Sequence, residues 1–198
     1  MEQFLIILGA SYLLGSIPTG LVVARLTQGI DPRQEGSGNL GAANLYRLLG
    51  NRAGLYTFLG DCLKGALPVF LAVIWLKSLG PWREAAVAAV GAAAVLGHVF
   101  PLYLKFKGGK GVATAFGVVA ALSPLTALSL LAAYVIAVAC TRIASVGSLA
   151  GAWLLPLAMG IFTPAKAYLL LAGGLSALIL VCHRENLERL FKGEEPRL

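Results

Sequence analysis
Six stretches of the chain, residues 4–24, 53–76, 85–104, 112–140, 145–162 and 165–182, are apolar over 18 to 29 positions. A helix needs roughly 20 such residues to cross ~30 Å of hydrocarbon, so they point to an all-α integral membrane protein. Composition agrees. Of the 198 residues, 58% are hydrophobic and 13% charged, against about a quarter charged in a water-soluble domain. Sixteen Lys and Arg against nine Asp and Glu leave a net charge of +7. In a polar chain that excess suggests nucleic acid. Here the apolar stretches exclude nucleic acid and make the lipid bilayer the partner.

The longest stretch, residues 112–140, reads as one tilted helix or as two helices turning at Ser123 and Pro124, where proline favours a break. Lysines and arginines in short loops mark the cytoplasmic side and separate the two readings. With a break there are seven spans. Arg25, Arg33, Arg47, Arg52, Lys105, Lys107, Lys110, Arg142, Arg184, Arg189, Lys192 and Arg197 then share one face, twelve against Lys77, Arg83 and Lys166. Without it the division is eight against seven. The expected fold is therefore one domain over residues 1–198, a seven-helix bundle with its N-terminus outside and its C-terminus cytoplasmic. One span is short, about 109–122, or ~21 Å. The first stretch is expected to remain as a span, because no Lys or Arg precedes it and no cleavage site stands out. Cys62, Cys140 and Cys182 lie inside spans, lack metal-type spacing and read as packing residues. Gly147 and Gly151, four apart, suit close helix contact.

This topology gathers four polar segments at the cytoplasmic face, residues 25–52, 104–111 and 141–148 and the tail from His183, and the candidate residues fall into four groups. In the first, residues 36–41 match the pattern GxGxxG, but no strand precedes them, so a dinucleotide fold is rejected. Ser37, Gly38, Asn39 and Asn44 can form a nest of donors around a phosphate, with Arg47 adding a bidentate contact. The alternative is a flexible glycine-rich loop. In the second, Lys107, Gly108, Gly109 and Lys110 precede a short helix. Lys110 is followed by Gly111 instead of Ser or Thr, which is not a Walker A loop. Bare glycines and lysines at a helix N-terminus suit a phosphate, and a basic loop that only fixes topology is the alternative. In the third, Asp61 and Lys64 share a helical face ~12 Å into a span, either as a structural ion pair or as a substrate contact. The fourth joins His183 and Asn186 to Ser145 and Ser148, with His98 a further candidate. A histidine at a span end is as often a capping residue, and neither has neighbours at metal-ligand spacing. A small anion and an acyl chain are the expected ligands, with a transporter of phosphate or glycerol 3-phosphate as the competing class.

Residues 36–47, Asp61-Cys62-Leu63-Lys64-Gly65, and Gly97-His98-Val99-Phe100-Pro101 running on to Thr114 resemble the three signature blocks of the bacterial acyl-phosphate:glycerol-3-phosphate acyltransferases, the PlsY family. The serine pair and His183-Arg184-Glu185-Asn186 are similar as well. Ala43, where relatives often have Thr, and Gly147, where Ala or Ser is usual, depart from the pattern. The resemblance implies a multi-pass enzyme of the cell (inner) membrane that acylates the 1-hydroxyl of glycerol 3-phosphate from acyl phosphate, the first acylation of phospholipid biosynthesis. It implies polar active-site positions at Ser37, Arg47, Lys110, Ser148, His183 and Asn186, with glycines around Gly65 and Gly108 shaping the pocket. It also implies acyl phosphate and glycerol 3-phosphate as ligands, the soluble enzyme that makes acyl phosphate as a candidate partner, and no cofactor or metal. Acyl phosphate is already activated, so no covalent acyl-enzyme is expected. A substrate phosphate oxygen is the expected proton acceptor, with Asp61 or His183 the alternative.

Overall fold
The chain folds into ten α-helices: α1 (Glu2–Gly15), α2 (Thr19–Gln28), α3 (Ala42–Leu49), α4 (Asn51–Trp75), α5 (Arg83–Val99), α6 (Val112–Leu122), α7 (Pro124–Thr141), α8 (Ala144–Phe162), α9 (Lys166–Cys182) and α10 (Arg184–Lys192). The computed structural model describes all 198 residues, and it contains no strand. The expected break at Ser123 and Pro124 is present: Pro124 opens α7, where its missing N–H costs nothing, and the Ser123 hydroxyl accepts from the Thr126 amide at 3.4 Å.

Three features differ from expectation. The stretch 4–24 is not one helix, because the chain breaks at Ser16–Pro18 and restarts as α2. Part of the glycine-rich segment folds as α3. By length and composition four helical segments are able to cross a membrane, Glu2–Gln28, Asn51–Leu104, Pro124–Thr141 and Ala144–Phe162, or five if α9 and α10, bent by 54°, count as one. That is fewer than the seven expected, for two reasons. The helix α6 has only 11 residues and α9 only 17, or ~17 and ~26 Å. The segment Asn51–Leu104 also holds both α4 and α5, which turn back on each other at Gly80, whose φ of 54° suits glycine.

In lipid no water drives helices together, so association relies on close van der Waals packing and interhelical hydrogen bonds. The pair α4 and α6 shows the first: a Cβ at Gly65 would run into the Thr114 carbonyl, and one at Gly117 into the Cys62 carbonyl. The pair α1 and α5 uses Gly15 against the Ala94 carbonyl, Gly97 against the Tyr12 carbonyl, and a bond from the Ser11 hydroxyl to Val90 O at 2.7 Å. Between α8 and α9, the Ser176 hydroxyl donates to Ala152 O at 2.7 Å. Gly147 packs against Tyr134 and Val138 of α7, as expected, but Gly151 faces open space. The core centres on Val69, Val87, Val90, Val118, Leu155 and Met159. Leu128, Ile136, Trp153, Leu157, Ile161 and Leu170 are exposed, as lipid-facing residues should be. The helix α7 has the fewest buried residues of the long helices.

Gly117→Val should drive α4 and α6 apart and lower stability by about 1–3 kcal/mol. Thermal unfolding of the detergent-solubilised protein measures it.

Candidate active site
A cavity of about 320 Å³ opens at one end of the bundle, within the size range of ligand sites. Each of the four polar segments contributes to its wall: Ser37, Asn39, Asn44 and Arg47 from the first, Lys110 from the second, Ser145 and Ser148 at the start of α8, and His183 and Asn186 at the junction of α9 and α10. Asp61 and His98 line it too. The remaining wall is hydrocarbon from α4, α6, α7 and α8, including Phe58, Phe116, Leu130, Leu131, Val135 and Leu155. The site is thus cationic and hydrogen-bonding at one end and apolar at the other.

The first segment is ordered by one side chain. Asn44 is buried. Its Oδ1 accepts from the Ser37 amide at 2.9 Å, and its Nδ2 donates to the carbonyls of Asn39 (2.9 Å), Pro32 (3.2 Å) and Glu35 (3.3 Å). This contradicts the expectation that Asn44 binds phosphate: its polar atoms are spent on the loop. Asn39 Oδ1 likewise accepts from the Gly41 amide at 2.9 Å, and Gly38, with φ of 68°, turns the chain outside the cavity wall. Asn39 and Asn44 thus reach the wall with polar atoms engaged in the loop, and Ser37 and Arg47 are the side chains left to the cavity, with Arg47 Nη2 3.5 Å from the Ser37 hydroxyl. Burial pushes the Arg47 guanidinium below its ordinary value, though arginine keeps its proton in proteins.

The second segment also departs from expectation. The Gly108 amide donates to Val99 O at 3.1 Å and the Gly109 amide to His98 O at 3.2 Å. These N–H groups are therefore consumed by the end of α5 and are not free for a phosphate. A Cβ at Gly108 would strike the His98 carbonyl, and one at Gly109 the His98 ring. The glycines form a clasp, Lys107 is exposed and absent from the cavity wall, and only Lys110 is aimed inward. The N-terminus of α6 follows, with Gly111, Val112 and Ala113 on the wall, so its positive dipole end faces the same space.

Lys110 Nζ donates to Asn186 Oδ1. Burial pushes the Lys110 ammonium below its ordinary value. His183 is buried, and its Nδ1–H donates to Ile179 O at 2.8 Å, which leaves Nε2 available to a ligand. The Ser148 hydroxyl donates to Ala144 O at 3.1 Å and keeps its lone pairs. The Ser145 hydroxyl is buried without a protein hydrogen-bond partner.

Asp61 and Lys64 pair at 2.9 Å, with both side chains under 10% exposed. Lys64 Nζ also donates to Ile17 O at 2.8 Å, at the break between α1 and α2. His98 Nδ1 lies 3.5 Å from Asp61 Oδ1 and 3.1 Å from the Thr114 hydroxyl. The cluster ties α4, α5, α6 and the α1–α2 break together, with Asp61 and His98 reaching the cavity wall and Lys64 and Thr114 set behind it. Lys64 and Gly65 stay off the cavity wall, and Gly65 serves the contact with α6.

Two polar wall residues escaped the sequence reading, Tyr134 and Glu195. Tyr134 sits in an apolar helix with nothing local to single it out. Glu195 lies among Glu194, Pro196 and Arg197, which read as a solvated tail. Asp61→Asn leaves the Lys64 ammonium buried without its counter-charge and should cost about 3–5 kcal/mol. Adding Lys64→Met should restore most of that loss, with both read by thermal unfolding in detergent.

Comparison with known proteins agrees with this geometry. Residues 5–193 match the family described as glycerol-3-phosphate acyltransferase. The glycerol-3-phosphate acyltransferase of Geobacter sulfurreducens is 47% identical over 200 residues, covering 100% of this chain and 98% of the relative. That of Trichlorobacter lovleyi is 50% identical over 191 residues, covering 96% and 95%. The crystal structure of PlsY (YgiH), an integral membrane glycerol 3-phosphate acyltransferase, in its glycerol 3-phosphate form superposes with a TM-score of 0.92 at 39% identity, covering 99% of this chain and 96% of that one. Its lysophosphatidic acid form gives 0.90 at the same identity, covering 99% and 95%. With near-complete coverage in sequence and in fold, this chain belongs to the glycerol-3-phosphate acyltransferase family.

Proposed function
We propose that this protein transfers a fatty acyl group from acyl phosphate to the 1-hydroxyl of sn-glycerol 3-phosphate, giving 1-acyl-sn-glycerol 3-phosphate (lysophosphatidic acid) and inorganic phosphate. The observation that carries this is the amphipathic cavity: Arg47 and Lys110 with Ser37, Ser148, His183 and Asn186 at one end, hydrocarbon at the other. The cations suit the two phosphates, and the apolar walls suit the acyl chain. The names of the relatives and of the two PlsY crystal forms supply the acceptor and the product. The donor is the one implied by the resemblance of residues 36–47, 61–65 and 97–114 to the acyl-phosphate-dependent acyltransferases.

In that reaction the acceptor hydroxyl oxygen attacks the acyl carbonyl carbon, the carbon–oxygen bond to phosphate breaks, and the hydroxyl proton passes to a phosphate oxygen. Acyl phosphate carries a good leaving group, so no enzyme nucleophile is required. Lys110 and Arg47 hold the phosphates and offset the charge that grows on the departing one. Ser37, Ser148, Asn186 and the free Nε2 of His183 orient the acceptor by hydrogen bonds, which removes much of the entropic barrier. Asp61 and His98 support the site.

The same reading includes seven crossings, by α1 and α4 to α9, with the N-terminus outside and the site facing the cytoplasm at the inner membrane. The fold-back of α4 and α5 at Gly80 and the division of cations, twelve against three, support it. The soluble enzyme that makes acyl phosphate is the proposed partner at that face.

Purified protein given acyl phosphate and glycerol 3-phosphate should release inorganic phosphate and form the acylated product. Lys110→Ala should slow this by about 10²- to 10³-fold. Uptake of labelled glycerol 3-phosphate into vesicles without acylated product would overturn acyl transfer in favour of transport. If His183→Ala kept full turnover while Asp61→Asn abolished it with binding intact, proton transfer to the substrate phosphate would be wrong.

A further inference from the structure
Beyond α10 the chain turns back over the cavity. Gly193, at φ of 72°, ends the helix, the Glu194 amide donates to Arg189 O at 2.8 Å, and the Leu198 amide donates to Arg142 O at 2.7 Å. Residues 193–198 thus form a strap from α10 to the connection between α7 and α8. One strap side chain turns inward: Glu195 lines the cavity and is only 6% exposed.

Its two oxygens are divided. One accepts from Asn186 Nδ2, and the other accepts from Arg189 Nε at 2.7 Å. Asn186 in turn presents Oδ1 to the Lys110 ammonium. An asparagine amide has a donating end and an accepting end, and a carboxylate only accepts. Glu195 therefore fixes which way Asn186 faces: turning the amide over would set its NH2 against the ammonium and its oxygen against the carboxylate.

We propose that Glu195 is a positioning residue of the acyl-transfer site, orienting Asn186 and through it holding Lys110 at the polar end of the cavity. The strap that carries it is then part of the working site. This rests on the acyl-transfer reading.

The charges around Lys110 supply an independent readout. Burial and then Arg189 lower its affinity for a proton, while Glu195, Glu185 and Cys182 raise it. Arg47 and His183 share the same cavity wall. Lys110 binds phosphate only while protonated, so activity falls as pH rises through its titration. Removing the Glu195 charge makes Lys110 lose its proton at lower pH, and the alkaline limb of kcat/KM moves to lower pH.

The test uses the full chain in detergent, measuring phosphate release, its pH profile and thermal unfolding for wild type, Glu195→Gln and Glu195→Asp. A glutamine cannot accept from Asn186 and Arg189 with both of its ends. Expected are a fall in kcat of about 10- to 100-fold for Glu195→Gln, an alkaline limb displaced to lower pH, a melting temperature near that of wild type, and partial rescue in Glu195→Asp. Wild-type kcat with an unmoved limb in Glu195→Gln would overturn the inference and leave acyl transfer standing. Equal losses in both variants with a matching fall in melting temperature would assign Glu195 a merely structural role and overturn it too. Wild-type protein that releases no phosphate would overturn both.

Discussion
The helix α6, with 11 residues, is the shortest of the helices read as crossings, yet its N-terminus faces the cavity. What holds it is the absence of side chains where it meets α4. Gly65 and Gly117 bring backbone against backbone at two successive levels, and the clasp of Gly108 and Gly109 on the end of α5 fixes the approach to its first turn. Irregular backbone at membrane depth survives only where protein satisfies it, and here the last carbonyls of α5 do so. Lys110 inherits its direction from this arrangement.

Charge follows the same division between frame and site. Asp61, Lys64, His98 and Thr114 satisfy one another, because a buried ion left alone would cost several kcal/mol. Arg47 and Lys110 lack such a carboxylate within salt-bridge distance. Lys110 meets only the neutral oxygen of Asn186, which leaves its charge available to an anion. The Asp61–Lys64 pair holds the bundle together, while Arg47 and Lys110 face the cavity with no carboxylate at salt-bridge distance.

Much of this was legible in the sequence where the cause is local. Pro124 with Ser123 before it marks a helix start by its own chemistry, and the i, i+3 spacing of Asp61 and Lys64 sufficed to pair them. The division of cations grouped the four polar segments that the structure brings to one cavity wall. Causes distant in sequence were hidden. The free N–H groups inferred at Gly108 and Gly109 are taken by carbonyls ten residues earlier, and Asn44 is claimed by carbonyls of its own loop. The break at Ser16–Pro18 was masked by apolar neighbours on both sides. Glu195 matters only because the chain returns to Arg142, and no local pattern announces such a return.

The thin burial of α7 bears on how a lipid product leaves. Leu131 and Val135 line the cavity on a helix in which only Thr126, Ala127 and Leu130 are buried, so along this helix the partition between pocket and bilayer is thin. In the acyl-transfer reaction proposed above, an acyl chain held there has hydrocarbon on both sides of the partition. Its exit is a sideways passage between two media of the same polarity, without the penalty of crossing water, and only the phosphate end must break strong contacts to let it go.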